Sequence, residues 1–198
     1  MFRHDLNFEE RLLLLARTRA HTPAAERAVV GFSRLGEHAA IWLAIGLAGG
    51  LADRPRRREW ARARRAVLLT YAVNTAIKFS VRRRRPALPG LPPLMGTTTG
   101  LSFPSAHAAT SFAAALAYRR CGLPGSPLFG LAGAMAASRV YLGVHYPSDI
   151  LAGALLGSSI AALATGAASA SGLADGAGLA NGSGELAPRR RTVEDTGG

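Results

Sequence analysis

The chain has 198 residues and a formal net charge of +12, yet 48% of its residues are hydrophobic. That length suits one domain rather than two, and the single cysteine, Cys121, excludes an internal disulfide and a zinc site built on several thiolates. The basic balance leaves nucleic acid, an anionic membrane surface and an anionic substrate all open as partners.

In chain order, residues 6–20 (LNFEERLLLLARTRA) pattern as an amphipathic helix lying in a membrane interface. Acidic residues precede its short leucine run and no small-residue cleavage pattern follows, so the start is not read as a signal peptide. Apolar segments rich in alanine and glycine then fall at about 38–52, 66–81, 105–118, 128–145 and 149–170. Most are slightly short of the ~20 residues that span a bilayer; they show no period-2 alternation, and carry small residues suited to close packing in lipid, such as Gly153 and Gly157. The predicted fold class is all-α: an integral membrane helical bundle of about five transmembrane helices plus the N-terminal amphipathic helix. A soluble all-α bundle is the alternative, disfavoured by the scarcity of charged helix faces. The expected organisation is residues 1–36 as an interfacial segment, 37–170 as the transmembrane domain, and 171–198 as a disordered tail of glycine, alanine and polar residues.

Between the first two apolar segments, Asp53 to Arg65 (DRPRRREWARARR) reads as a short basic loop, which the positive-inside rule assigns to the cytoplasm. Alternation from that point puts Arg119 and Arg120 inside as well, but Arg82 to Arg85 on the outer face. A basic cluster on the disfavoured side calls for a local reason, and a bound anion supplies one. If the helix persists to Pro86, Lys78, Arg82 and Arg85 stand at i, i+4 and i+7 on one face, while Arg83 and Arg84 point elsewhere and meet lipid headgroups. The stretch Pro86 to Ser102 is long for a helix connection and reads as a rim or an unstructured outer loop. The same outer face receives FPSAH (Phe103 to His107) and SRVYLGVHYPSD (Ser138 to Asp149).

Those three segments carry a resemblance to the type 2 phosphatidic acid phosphatase (PAP2) superfamily, whose pattern is K-x6-RP, then PSGH, then SR-x5-H-x3-D. Lys78, Arg85 and Pro86 match the first motif, Pro104 to His107 the second, and Ser138, Arg139, His145 and Asp149 the third. The departure is Ala106, where the family usually has glycine; its backbone N–H remains, so anion binding is expected to survive in a pocket narrowed by a methyl group. The first transmembrane helix of six-helix members looks shortened or replaced by the amphipathic segment. GEHAAIWLA (Gly36 to Ala44) and the Arg- and Ala-heavy composition are similar to an actinobacterial branch that includes phosphatases acting on decaprenylphosphoryl-5-phosphoribose.

The chemistry follows from what a phosphate ester demands. Its transfer accumulates charge on the non-bridging oxygens, so fixed cations and N–H donors matter most. Lys78, Arg85 and Arg139 would supply charge, and Ser105 and Ala106 the hydroxyl and N–H groups of a helix N-terminus. The resemblance implies that His145 attacks phosphorus to give a phosphohistidine, with Asp149 fixing its tautomer, and that His107 protonates the leaving alkoxide and then activates water. Taken singly, Asp149 reads equally as a helix first-turn acid, Ser105 as a cap and a helix-end histidine as an interfacial polar residue. No metal and no cofactor are expected, since the neighbouring cations would repel a metal ion from His107, His145 and Asp149.

The expected function is therefore a metal-independent membrane hydrolase removing phosphate from a polyprenyl-linked or glycerolipid phosphate or pyrophosphate. The expected partners are that lipid-linked substrate and membrane lipids, with no nucleic acid, because the arginines flank apolar spans rather than an aromatic-bearing soluble surface. The expected location is a multi-pass position in the cell membrane with the site on the extracytoplasmic face. A non-catalytic membrane protein that binds anionic lipid headgroups is the competing class.

Overall fold

The computed structural model describes residues 6–180, with side chains to Gly166. In order these residues form α1 (Phe8–Thr18), α2 (Pro23–Leu35), a single 3-10 turn (Glu37–Ala39), α3 (Ala40–Ala52), α4 (Arg57–Val81), α5 (Ala106–Arg120), α6 (Gly125–Tyr141) and α7 (Pro147–Ala180). Among them there is no strand, only isolated bridges that pair Arg84 with Leu101 and Leu88 with Leu91. The all-α expectation holds.

Several boundaries differ from the sequence reading, each for a local reason. Residues 1–36 contain a second helix, α2, opened by the Thr22 hydroxyl accepting from the Ala25 N–H at 3.1 Å and by Pro23 at its first position. The basic stretch expected as a loop to Arg65 turns helical at Arg57, because arginine, alanine and glutamate are good helix formers. Trp60 anchors that start, 3% exposed, with its indole N–H donating to Asp53 at 3.2 Å. Helix α6 stops at Tyr141 instead of 145, and Gly143, at φ 72°, turns the chain so that His145 stands in a connection. Helix α7 runs ten residues into the stretch expected as a tail from 171, in keeping with its alanine content; 181–198 lie outside the described residues.

The bundle belongs to the unit that ends at Gly166; the second unit, Ala167–Gly198, is described as helix through Ala180. Within the bundle α5 is the central helix, packed against both α4 and α6. Its buried side chains are mostly alanine, at 108, 109, 113, 114, 115 and 117, whereas Leu47, Leu51, Leu68, Leu69, Leu151, Leu155 and Leu163 face outward. Small residues inside and large aliphatic ones outside is the pattern expected where the surroundings are lipid. Pro147–Gly166 is long and apolar enough to cross a bilayer, and Pro23–Leu35 with Glu37–Ala52 qualifies as a pair bent by 51°.

Small residues also set the distance between α7 and α5. A β-carbon at Gly157 would stand 1.9 Å from the Ala109 carbonyl oxygen, and one at Gly153 would stand 2.5 Å from that of Ser105. Backbone cannot yield there as a side chain could. Gly157→Ala should therefore push α7 away and lower the melting temperature in detergent, at a cost of about 1–3 kcal/mol. Leu155→Ala, on the outward face two residues earlier, serves as the control and should melt near the wild type.

Candidate active site

One end of the bundle gathers the C-terminus of α4, the N-terminus of α5 and the α6–α7 connection. The opposite end carries the basic residues that open α4 and close α5, where the Arg56 guanidinium lies against Gly122. A cavity of about 270 Å³ opens between these segments, with Lys78, Arg85, Ala106, His107, Arg139 and His145 in its wall. Ser105 and Asp149 are fully buried behind it.

Arg85 reaches the cavity by a route that helical spacing does not give. The helix ends at Val81, and Arg82 takes a left-handed conformation at φ 55° while its N–H closes on the Lys78 carbonyl. The expectation that Lys78, Arg82 and Arg85 share one helical face is thus corrected. Instead the chain doubles back through backbone bonds from Arg85 to Gly100 (3.2 Å) and from Ser102 to Arg83 (2.8 Å). Arg85 Nε donates to the Thr99 carbonyl at 2.8 Å and Nη1 to that of Val144 at 2.6 Å. The connection 86–102 is accordingly pinned as a rim, with the Leu94 N–H also donating to Leu142 at 3.0 Å. Lys78, 8% exposed, donates to the carbonyls of Pro104, Ser102 and Leu101 at 2.9, 3.1 and 3.4 Å, fastening the segment that leads into α5.

The geometry around His145 fixes its tautomer. Arg85 Nη1 lies 3.1 Å from Nε2, and a guanidinium only donates, so Nε2 must present its lone pair. The proton then sits on Nδ1, which faces Asp149 Oδ2 at 3.4 Å, a contact that orients the ring but falls short of a full hydrogen bond. Burial pushes this imidazole far below its ordinary value, to about 3, helped by Arg85 and Arg139 and opposed by Asp149. His145 is therefore neutral, with Nε2 unprotonated. Asp149 is held in turn by the Tyr146 N–H at 2.9 Å on Oδ2 and by Arg83 Nη1 at 2.9 Å on Oδ1.

Ser105 is the N-cap of α5, its hydroxyl accepting from the Ala108 N–H at 3.4 Å and its own N–H donating to the Asp149 carbonyl at 3.0 Å. This last bond ties the second motif to the third. The N–H groups of Ala106 and His107 belong to the first helical turn, where no intrahelical acceptor exists. Arg139, 3% exposed, donates through Nη1 to the Ser33 hydroxyl and to Met95 Sδ at 3.2 Å, while its Nε finds no acceptor among the described residues. His107 Nε2 donates to the Ser33 carbonyl at 3.1 Å, which leaves Nδ1 as the nitrogen free to exchange a proton.

Two residues escape the sequence reading. Ser33 of α2 orients both Arg139 and His107; the only signal for it was the Thr22-Pro23 helix start. Arg83, expected to meet lipid headgroups, instead bonds Asp149, the Ser148 hydroxyl at 2.6 Å and Glu9 at 2.7 Å. That expectation is corrected: a buried carboxylate requires a compensating cation, and Arg83 is the one in reach.

Comparison with known proteins agrees with the motifs. Residues 62–172 match the model of the PAP2 superfamily. Decaprenylphosphoryl-5-phosphoribose phosphatase of Mycobacterium tuberculosis is 45% identical over 134 residues, which is 67% of this chain and 75% of the relative. The Mycolicibacterium smegmatis protein of the same name is 44% identical over 122 residues, 61% of this chain and 67% of the relative. The crystal structure of Aquifex aeolicus LpxE superposes with a TM-score of 0.69 at 25% identity, covering 83% of this chain and 98% of that one. A transmembrane PAP2 type phosphatidylglycerolphosphate phosphatase from Bacillus subtilis shares the fold, with a TM-score of 0.61 at 24% identity over 80% of this chain and 83% of that one.

Proposed function

The chain belongs to the PAP2 superfamily, and from that premise we propose that it is a membrane phosphatase that hydrolyses a lipid-linked phosphate through a phosphohistidine on His145. The observation that carries this reading is the lone pair of His145 Nε2 held beside the Arg85 guanidinium on a cavity also lined by Lys78 and Arg139. Nε2 attacks phosphorus, the bond from phosphorus to the leaving oxygen breaks, and His107, which enters this step as the imidazolium formed when the phosphate dianion binds beside it, gives that oxygen its Nδ1 proton. Water then attacks the phosphohistidine, losing its proton to His107, and inorganic phosphate departs. Lys78, Arg85, Arg139 and the N–H groups of Ala106 and His107 meet the charge that develops on the non-bridging oxygens. With these cations in place the reaction needs no metal ion.

A cavity of this size admits a headgroup and leaves the hydrocarbon chain outside in the bilayer. Decaprenylphosphoryl-5-phosphoribose is the candidate substrate, supported by the names of the relatives at 45% and 44% identity. The bundle crosses the membrane several times, with about five spans, and residues 37–170 form the catalytic domain. The site opens on the extracytoplasmic face, because the arginines of α4 and α5 crowd the other end.

Purified protein should release phosphate in the presence of EDTA and be inhibited by vanadate. Among decaprenylphosphoryl-5-phosphoribose, undecaprenyl pyrophosphate and phosphatidic acid, the phosphosugar lipid should give the highest kcat/KM. Headgroup binding that vanadate does not disturb, with no phosphate released, would point to the non-catalytic class instead.

A further inference from the structure

Behind the cavity wall, and not part of it, lies a second set of charges: Glu9, Arg83 and Asp149. Asp149 is 0% exposed, and a carboxylate so placed keeps its charge only if a cation and donors are supplied. Arg83 supplies the cation with a forked grip. Nη1 serves Asp149 Oδ1 at 2.9 Å and the Ser148 hydroxyl at 2.6 Å, Nη2 serves Glu9 Oε2 at 2.7 Å, and the guanidinium carbon lies 4.1 Å above the Tyr146 ring.

Glu9 comes from α1, 74 residues away in sequence. Its other oxygen accepts the Ser148 N–H at 2.9 Å, one of the first-turn donors of α7 that has no partner within its own helix. One carboxylate thus caps the helix that carries Asp149 and holds the arginine that neutralises Asp149. Burial alone would raise the Glu9 pKa, but the bonds from Ser148 and Arg83 outweigh it and keep it below its ordinary value. The seating of α1 is specific: Glu9, Leu13 and Arg17 stand at i, i+4 and i+8 on one face. Leu13 is 0% exposed, and Arg17 donates to the Pro92 carbonyl at 2.7 Å. Phe8, Leu12 and Leu15 form the opposite, exposed stripe.

We propose that Glu9 and Arg83 are positioning residues, a two-step relay through which docking of α1 sets the orientation of the Asp149–His145 pair. The inference rests on the phosphatase reading above. The guanidinium spans the two carboxylates by offering Nη1 to one and Nη2 to the other, a separation that the compact ammonium of a lysine at 83 would not reproduce. With Arg83 gone, Asp149 loses the bond to Oδ1 and is free to rotate away from Nδ1, so His145 loses the partner that holds its tautomer. With Glu9 neutralised, the fork has one carboxylate left and the start of α7 loses its anionic cap.

The test is a cycle of variants assayed for phosphate release in detergent micelles, with melting curves to establish folding. Arg83→Ala should lower kcat about 100-fold with KM changed less than about twofold, the signature of a misoriented nucleophile. Glu9→Gln should lower kcat about tenfold in the wild-type background and no more than about twofold further in Arg83→Ala, where the relay is already broken and only the cap on α7 remains to be weakened. If Arg83→Ala does not fold, the cycle is closed with Arg83→Lys, where Glu9→Gln should cost less than in wild type. Equal cost of Glu9→Gln in both backgrounds, or losses confined to KM, overturn the relay while leaving the phosphatase reading intact. A wild-type chain inert toward every lipid phosphate overturns the phosphatase reading, and the relay with it.

Discussion

Changing His145 to alanine is expected to lower phosphate release about 10⁴-fold, the scale on which removing a nucleophile leaves only the contribution of the surrounding electrostatics. Arg85 fills the space beside Nε2 with a donor, Asp149 stands on the Nδ1 side, and so the nitrogen turned to the cavity is the unprotonated one. Because burial holds this imidazole near a pKa of 3, acid should not silence it by protonation until the pH approaches that value. Activity lost nearer neutrality belongs to other groups. Initial rates and labelling with a radioactive phosphate donor check both points: the variant should form no acid-labile phosphoenzyme, and a variant that retains the wild-type rate would remove His145 from the reaction.

Arg85→Ala is expected to be the next most damaging change, lowering kcat about 10²–10³-fold, as loss of a preorganised oxyanion donor does. Arg85 acts at three places at once. It adds positive charge to the cavity, holds Nε2 of His145, and pins the rim through the Thr99 and Val144 carbonyls. Lysine at this position restores the charge but not the fork, so Arg85→Lys should recover only a minor part of the rate. Vanadate provides a second readout: its inhibition constant should rise in both variants, and an unchanged value would show that the guanidinium does not meet the phosphoryl group.

The parts of the site that could be read from sequence are those where polarity violates its surroundings. Lys78, Arg85, Arg139, His145 and Asp149 interrupt or end apolar runs, and Pro104 and Pro147 stand where α5 and α7 begin, so the three segments are visible in the sequence. What escaped depends on backbone conformations and distant contacts. Arg82 takes its left-handed turn without a glycine to signal it, so helical spacing alone puts Arg85 on a face it does not share. Arg83 could not be placed because its partner Glu9 arrives from α1. Ser33 stayed hidden since α2 is short and only weakly apolar, and its contribution to the site is a hydroxyl and a carbonyl that any serine possesses. Charge makes 57–65 read as a loop, whereas the helix propensity of arginine, alanine and glutamate carries the stretch into α4.

The alanine interior has an effect on how such a protein can change over time. Where helices touch through methyl groups and bare backbone, any enlargement forces whole segments apart, whereas the outward leucines trade places with other aliphatic residues at little cost. Ordinary water-soluble domains tolerate variation on the outside because it is wet; this one tolerates it because it is greasy. The freedom to drift lies toward the bilayer, and the constraint follows the narrow seam that runs from Gly157 and Gly153 up to the bond between Ser105 and Asp149.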